Sequence, residues 1–96
     1  MTIKHETTLR LHKLWLKGDE DGVCANFSGV DLSGVDLEGV DLGGAYLRGA
    51  DLRGTYFRGA DLRDTYFRGA DLRDVKLEYT NLENANLAGA DLDYQI

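Results

Sequence analysis

Apolar side chains recur at every fifth residue along most of the chain. From Ala25 onward, the first position of each five-residue unit is small or β-branched, and the third position is always Leu or Phe. The pattern continues without interruption through fourteen units, to Tyr94. Two apolar residues that are separated by one outward residue point to the same side of an extended chain. Each unit is therefore predicted to be a very short strand with two inward side chains.

The remaining positions of each unit predict a turn. Gly fills the fifth position in nine units, and Asp64, Asp74 and Asn84 occupy it in three others. These residue types tolerate the backbone conformations of tight turns. A strand and a corner of constant length must coil, and successive coils stack about 4.8 Å apart. An α-helix is excluded for this segment, because apolar residues at i and i+2 with a period of five would spread around its surface. The pattern predicts an all-β solenoid.

Three stretches, ADLRG (50–54), ADLRD (60–64) and ADLRD (70–74), resemble the pentapeptide-repeat family, whose pattern is A(D/N)LXX. The resemblance covers residues 25–94. It implies a right-handed quadrilateral β-helix with four units, and so twenty residues, in each coil. The repeat would then form about three and a half coils and a rod about 17 Å long. We expect the Leu and Phe side chains to fill its axis, with the largest losses of stability on truncation at Leu47, Leu52, Phe57 and Leu62.

The N-terminal segment is predicted to cap the solenoid, since a terminal coil exposes apolar axis and unpaired strand edges. Residues 5–17 are predicted to form a short helix that Gly18 ends, although LRL and LWL are also compatible with two extended pieces. Leu11, Leu14 and Trp15 share one helical face, and Trp15 is the candidate that covers the first coil. The predicted division is therefore a cap and connecting loop (1–24), the repeats (25–94) and a short tail (95–96).

The C-terminal end of the repeat carries no comparable cap, because only Gln95 and Ile96 follow Tyr94. The last coil would expose Leu77, Leu82, Leu87 and Leu92. We expect these leucines to be buried against another chain. A symmetric end-to-end homodimer is the first expectation, since family members often associate in this way, and continuation of the stack by a neighbouring polypeptide is the alternative.

Residues twenty positions apart should lie above one another on the surface. One side would then carry an acidic ladder, which consists of Asp31, Asp51, Asp71 and Asp91. The side before it would carry Asn26, Tyr46, Tyr66 and Asn86. The fourth repeat position supplies six arginines between Arg48 and Arg73, whose long side chains can reach the Asp carboxylates. Tyr46, Arg48, Tyr66 and Arg68 together form the candidate partner-contact surface, because Arg and Tyr are favoured at interfaces.

Charge is distributed in bands along the predicted rod. The formal net charge of the chain is -6. Residues 22–45 carry four acids and no base, residues 46–75 carry six arginines against five acids, and residues 76–96 carry one lysine against four acids. This balance disfavours direct nucleic-acid binding. The best-known activity of the family is inhibition and protection of DNA gyrase by mimicry of duplex DNA. The acidic ladder has the negative charge that this activity requires. The arginines have the opposite charge, and the rod is short for a mimic of duplex DNA.

Candidate chemistry for catalysis is sparse. His5 and His12 are the possible general bases, and both lie in the capping segment, while Cys24 precedes the first repeat. Nothing resembles a catalytic triad or a metal-ligand set, so we expect no enzyme activity, no metal and no cofactor. The first residues hold no apolar run of signal-peptide or membrane-span length, which makes a cytoplasmic chain with no membrane contact the default expectation. The sequence favours a noncatalytic structural or protein-binding module, and a DNA-mimicking effector of a type II topoisomerase is the alternative.

Overall fold

The computed structural model describes residues 2–92, so the last two repeat residues and the predicted tail lie outside the described residues. Helix α1 spans Ile3–Leu16. In the repeats, the second residue of a unit forms a single parallel β-bridge with the residue twenty positions later, as Tyr46 does with Tyr66. Four such bridges occur in every twenty residues, beginning with the partners of Asn26, Asp31, Asp36 and Asp41. The predicted twenty-residue coil is therefore present, although each strand is reduced to one bridging residue.

Each corner of the coil is a four-residue β-turn. The amide of Ala50 donates to the carbonyl of Leu47 over 3.1 Å, and the intervening Gly49 has a φ of 66°. A positive φ at the third residue of such a turn is the geometry of a type II turn. The amide of Gly49 then donates to the carbonyl of Arg68 in the next coil over 2.9 Å. Corners thus join neighbouring coils by the same kind of main-chain hydrogen bond as the bridging residues.

The third-position side chains fill the axis of the solenoid. The expected mid-stack residues Leu47, Leu52, Phe57 and Leu62 are all fully buried. Phe57 also packs edge-on against Phe67, with ring centroids 6.5 Å apart. A fully buried side chain of this size contributes about 1.5–3 kcal/mol relative to an exposed one. The axis is therefore the principal hydrophobic core of the molecule.

First-position residues pack behind the axis, and three of them are polar, namely Thr55, Thr65 and Thr80. Thr55 and Thr65 are fully buried. The Thr55 hydroxyl donates to the carbonyl of Leu32 over 2.8 Å, and the Thr65 hydroxyl donates to the carbonyl of Leu42 over 3.1 Å. Each bond reaches the preceding coil, so the buried hydroxyl is satisfied and two coils are joined. Thr is consequently compatible with a column that is otherwise Ala and Val.

The ends of α1 have clear local causes. The Thr2 hydroxyl accepts from the amide of His5 over 3.2 Å at the N-terminus. At the other end, Gly18 has a φ of 78°. The amides of Gly18 and Asp19 donate back to the carbonyls of Trp15 and Leu14, which is the Schellman pattern. The predicted helix and its termination at Gly18 are confirmed, with the first turn starting two residues earlier than expected.

The face of α1 that covers the first coil is not the expected one. We expected Leu11, Leu14 and Trp15 to form it, but Trp15 is 41% exposed. Leu9 packs against the core instead, and His5 contacts Phe27 edge-on with ring centroids 5.7 Å apart. His12 is fully buried. Positions 5, 9 and 12 share one helical stripe, so the cap is rotated relative to the prediction, which did not include the two histidines in the covering face.

His12 can be buried because the first coil has unpaired main-chain groups at its upper edge. The amide of Ala25 donates to Nδ1 of His12 over 2.9 Å. Nε2 therefore carries the ring proton and donates to the carbonyl of Gly43 over 3.0 Å. These two groups have no preceding coil to pair with, so the imidazole replaces the missing strand. Trp15 stacks on the outer side of the His12 ring, with centroids 5.2 Å apart.

Glycines mark the places where α1 approaches the coil. A Cβ atom at Gly22 would lie 2.2 Å from the main-chain nitrogen of Trp15, so only Gly permits this approach. At Gly44, an added Cβ would lie 3.2 Å from the Trp15 ring. Gly43, next to it, is the one glycine in the fourth repeat position, and its carbonyl receives the His12 bond. The pair Gly43–Gly44 is thus the sequence signal of the docking site, which the prediction did not use.

Burial decreases toward the C-terminal end of the solenoid. The axial leucines Leu77, Leu82, Leu87 and Leu92 are only half-buried.

Within residues 2–92, the helix present is too short to cross a membrane.

Candidate functional site

The surface columns follow the twenty-residue register. Parallel bridges connect Asp31, Asp51, Asp71 and Asp91, which places the acidic ladder on one side of the coil. The side before it, which we call the tyrosine side, carries Asn26, Tyr46, Tyr66 and Asn86. The Tyr46 and Tyr66 rings are stacked 4.9 Å apart and lie within 10° of parallel. This spacing matches the separation of neighbouring β-strands, so the stack follows directly from the register.

Three arginines are neutralised within their own units. In unit 50–54, Oδ1 of Asp51 accepts from the amide of Arg53 over 3.2 Å and from its Nε over 2.9 Å. Oδ2 of Asp51 accepts from Nη2 of Arg53 over 2.7 Å. Arg63 and Arg73 hold the Asp two residues before them in the same way. We call this arrangement the Asp–Arg unit.

The Asp–Arg units also reduce the charge repulsion within the acidic ladder. The side-chain hydrogen bonds from Arg53 lower the pKa of Asp51 to about 2. Nε of Arg53 lies 3.8 Å from Asp71 in the next coil, and Nε of Arg73 lies 3.7 Å from Asp91. Each of these arginines therefore faces two carboxylates. The ladder carries much less uncompensated negative charge than its sequence suggests.

Arg48 and Arg68 differ from these arginines because tyrosine, not aspartate, precedes them by two residues. Both side chains are exposed. Among residues 2–92, neither has a carboxylate within ion-pair distance, and neither of their main-chain amides has a hydrogen-bond acceptor. The repeat therefore contains two kinds of arginine, which sequence reasoning had grouped together. The signal that separates them is the residue type two positions earlier.

The four candidate contact residues come together in one open groove. Its volume is about 440 Å³, and its lining is Asn26, Ser28, Tyr46, Arg48, Tyr66, Arg68 and Asn86. No lining residue is acidic. The two tyrosines are each 44% exposed, so part of each side chain is available for contact. The groove is a positively charged, aromatic surface on a chain whose overall charge is negative.

A second aromatic and basic group lies on the opposite side of the coil. Tyr79 has a φ of 59°, a conformation that is unfavourable for a bulky residue, and its side chain is 85% exposed. The guanidinium carbon of Arg58 lies 5.8 Å from the centre of its ring. The sequence analysis did not single out Tyr79. Its signal is a large aromatic residue at a fifth position, where Gly, Asp or Asn is found in twelve of the fourteen units.

The C-terminal end of the axis forms a small apolar recess. Its volume is about 90 Å³, and its lining is Phe57, Phe67, Leu72, Leu77, Leu82, Leu87 and Leu92. All of these side chains belong to the axial column. The four leucines expected at a C-terminal contact therefore converge on one site, and their role as a contact remains a prediction.

Of the three candidate catalytic residues, His12 is fully hydrogen-bonded and Cys24 is unactivated. Both ring nitrogens of His12 are hydrogen-bonded to the main chain, and burial lowers its pKa. Burial raises the pKa of the Cys24 thiol, which is the opposite of activation. Over the described part of the chain, no three His, Cys, Asp or Glu residues are arranged to hold a metal ion. His12 therefore stabilises the cap through its two main-chain hydrogen bonds.

The fold and the repeat register both point to known proteins. The family described as Pentapeptide repeats matches residues 25–64 and 65–94, in eight copies. A pentapeptide repeat protein from the thylakoid lumen of Arabidopsis thaliana is 34% identical, with a TM-score of 0.53, and the match covers 73% of this chain and 55% of that one. The pentapeptide repeat protein Rfr23 from the cyanobacterium Cyanothece 51142 is 36% identical, with a TM-score of 0.42, over 75% of this chain and 46% of that one.

A third solved structure, a pentapeptide repeat protein from Nostoc PCC 7120, is 32% identical, with a TM-score of 0.30, over 88% of this chain and 74% of that one. No curated protein matches the sequence. The chain spans about half the length of the first two structures. The family match covers the whole predicted repeat, and the register agrees with it. The chain belongs to the pentapeptide-repeat family, and its repeats form a right-handed β-helix.

Proposed function

We propose that this chain is a noncatalytic interaction module that binds another protein through the tyrosine side of the solenoid. The observation that carries the proposal is the pair of exposed, unpaired arginines, Arg48 and Arg68, beside the stacked tyrosines. Arg and Tyr are enriched at the centres of protein interfaces, where both bury a large area and donate hydrogen bonds. A rigid β-helix presents these residues with little loss of conformational freedom on binding.

The simpler interpretation is that Arg and Tyr only keep the coil soluble and neutralise the acidic ladder. Neutralisation is already provided by Arg53, Arg63 and Arg73. Arg48 and Arg68 make no such contact, and they lie on consecutive coils, where like charges repel. Two arginines without an ion pair, beside an exposed tyrosine stack, favour a role in binding.

The proposal is tested by affinity capture from the host cell, with the full chain as bait. We expect specific partners to be retained by the wild type and lost from the variant Arg48→Glu/Arg68→Glu. The matched control is Arg53→Glu/Arg73→Glu, which changes the net charge equally on the neighbouring side. Partners that both variants lose equally, or that both retain, would show that the tyrosine side is not the contact.

We also propose that the axial recess at the C-terminal end is a self-association site, which gives an end-to-end homodimer. Its support is that the exposed axial leucines converge on a recess with an entirely apolar lining. Burial of this surface against a second copy would remove it from water. Light scattering at tens of micromolar should give twice the monomer mass, and Leu82→Glu should return the protein to monomer. A monomeric wild type would exclude the dimer.

A DNA-mimicking action on a type II topoisomerase is the alternative function, and the charge pattern argues against it. Mimicry of duplex DNA requires regularly spaced carboxylates that can receive the basic side chains of the enzyme. Asp51, Asp61 and Asp71 are engaged by arginines of their own chain. We therefore expect no effect on DNA gyrase supercoiling at micromolar protein, and inhibition in that assay would favour the alternative.

A further inference from the structure

The Asp–Arg units show how this coil binds a carboxylate. In three units, one Asp carboxylate accepts from the main-chain amide and from two guanidinium nitrogens of the Arg two residues later. The bonds from the guanidinium are between 2.6 and 3.1 Å long. Two-point contacts of this kind combine charge with planar geometry and are among the stronger hydrogen bonds in proteins. Each Asp–Arg unit is thus an occupied carboxylate site.

The units at 45–49 and 65–69 keep the donors of this site and lack the carboxylate. Arg48 and Arg68 occupy the same fourth position, at corners of the same turn type, as Gly49 and Gly69 have φ values of 66° and 71°. Tyr46 and Tyr66 occupy the position at which Asp51 provides two carboxylate oxygens. Within residues 2–92, the amides and guanidinium groups of Arg48 and Arg68 have no acceptor. Unit 55–59 also has Tyr in place of Asp, but it lies on the opposite side of the coil, and the guanidinium carbon of its Arg58 lies 5.8 Å from the centre of the Tyr79 ring. The tyrosine side therefore has two open carboxylate sites, one directly above the other.

The surroundings of these two sites favour an acidic ligand. The groove that contains them is lined by neutral and basic residues only. The separation of neighbouring coils is about 4.8 Å, while alternate residues of an extended strand lie about 6.8 Å apart on one face. Arginine side chains are long enough to accommodate this difference. Two acidic residues at i and i+2 of an extended segment therefore match the two open sites.

On the basis of the proposed function, we infer that the partner contributes an extended acidic segment. Its Asp or Glu side chains supply to Arg48 and Arg68 the carboxylates that Asp–Arg units supply within this chain. The stacked Tyr46 and Tyr66 rings pack against the polypeptide between and beside those acids, which a phosphate or another small anion would not use. Affinity arises from the paired charges, and selectivity for a polypeptide arises from the aromatic stack.

The inference is tested with the full chain and a fluorescein-labelled octapeptide of alternating Glu and Ser, by fluorescence anisotropy at low salt. We expect saturable binding, a loss of at least tenfold in the association constant with Arg48→Gln/Arg68→Gln, and a change of less than twofold with Arg53→Gln/Arg73→Gln. The two variants alter the net charge equally. The peptide with Gln in place of Glu should not bind, and inorganic tripolyphosphate should compete only weakly.

A second variant tests the carboxylate site itself. Tyr46→Asp/Tyr66→Asp converts both units into Asp–Arg units, a sequence that this coil already folds, so the far-ultraviolet spectrum should be unchanged. The new carboxylates should occupy the sites and abolish peptide binding. The control Asn26→Asp/Asn86→Asp adds the same charge to the same side, next to Ser28 and Ala88, and should weaken binding much less.

The outcomes separate this inference from the proposed function. Equal losses in the two arginine variants, equal binding of the Gln peptide, or displacement by tripolyphosphate at lower concentration than by unlabelled peptide would each overturn the acidic-segment inference. If host proteins still depend on Arg48 and Arg68 in affinity capture after such a result, the tyrosine side binds proteins by other chemistry. If no partner depends on these arginines, the proposed function fails as well.

Discussion

The two ends of the solenoid are made of the same repeat and yet differ in burial. The axial residues of the first coil are at most 3% exposed, and they are Phe27, Leu32, Leu37 and Leu42. Their counterparts at the other end are half-buried, and they are Leu77, Leu82, Leu87 and Leu92. All eight occupy the same position of the five-residue unit. The repeat therefore determines that a side chain points inward, whereas its exclusion from water depends on what lies beyond the last coil.

The N-terminal end also shows that covering the axis is only half of what a cap must do. Leu9 and His5 cover apolar surface, while His12 pairs with an amide and a carbonyl that a preceding coil would otherwise engage. An apolar helix alone would leave these main-chain groups buried without partners. In this chain, His12 supplies both the donor and the acceptor that these main-chain groups need.

Truncation of an axial leucine should have the largest effect on the free energy of unfolding, and this effect should be much larger in the middle of the axis than at its C-terminal end. We expect Leu52→Ala to lower the free energy of unfolding by about 3–5 kcal/mol, because Leu52 is fully buried and its neighbours cannot collapse into the cavity. Leu87→Ala should cost about 1 kcal/mol, since its side chain is already partly in water. Urea unfolding followed by circular dichroism measures both. Equal losses would mean that the C-terminal axis is as well packed as the middle.

Removal of the polar contact at the capped end should have the next largest effect. His12→Ala leaves the amide of Ala25 and the carbonyl of Gly43 without partners, which should cost about 2–3 kcal/mol. His12→Gln retains one donor and one acceptor and should recover part of this loss. The control Lys13→Ala changes an exposed residue of the same helix and should be close to neutral. A neutral His12→Ala would show that water satisfies the first coil equally well.

The capped end should also respond to pH in a defined direction. Burial lowers the pKa of His12 below its ordinary value of 6.5, because the charged imidazolium loses its contact with water. Protonation would also place a proton on Nδ1, which accepts from the Ala25 amide, and would break that hydrogen bond. The unfolded chain then binds more protons, so the stability that His12 contributes is complete above pH 6.5 and falls as the pH decreases below it. Thermal unfolding from pH 7.5 to pH 5 should show this decline in the wild type. His12→Gln should show a flatter profile, and identical profiles would contradict the assignment.

The smallest effect is expected at the corners, which also differ between the ends. Every fifth position from Gly29 to Gly59 is glycine, whereas Tyr79 and Asn84 adopt positive φ values in the later coils. Tyr79→Gly should raise stability by about 0.5–1 kcal/mol, because the positive φ is unfavourable for tyrosine. Asn84→Gly should be nearly neutral, since Asn tolerates this region. A loss of stability with Tyr79→Gly would mean that the contact of its ring with Arg58 outweighs the backbone strain.

Much of this fold can be read from the sequence because its long-range order repeats a local pattern. The inward columns follow from side-chain alternation, and the surface columns follow once the coil length of twenty is known. That length came from the family resemblance, since the closure of a coil depends on corner angles that the apolar pattern does not encode. The helix and its end at Gly18 were also predictable, because capping is local.

The features that the sequence did not reveal depend on pairing across the fold. The choice of Leu9 and His12 over Leu11 and Trp15 depends on where the edge of the first coil presents its main-chain groups. The distinction between Arg48 and Arg53 lies in a side-chain contact two residues away, which becomes evident only when the corner geometry is known. Gly43 and the tyrosines that precede Arg48 and Arg68 are present in the sequence, but their roles depend on contacts that form only in the folded chain.

The twenty-residue register has a consequence for how such a surface changes in evolution. Inserting or deleting one five-residue unit would preserve the fold of every unit, yet it would rotate all later residues by one side of the square. Between residues 46 and 66, such a change would separate the two tyrosine rings while the hydrophobic axis stayed filled. Only insertions or deletions of four units, or multiples of four, keep the residues of a binding surface above one another. The chain can therefore change in length by any number of units and keep its hydrophobic axis filled. It keeps the binding surface only when the change is a whole number of coils.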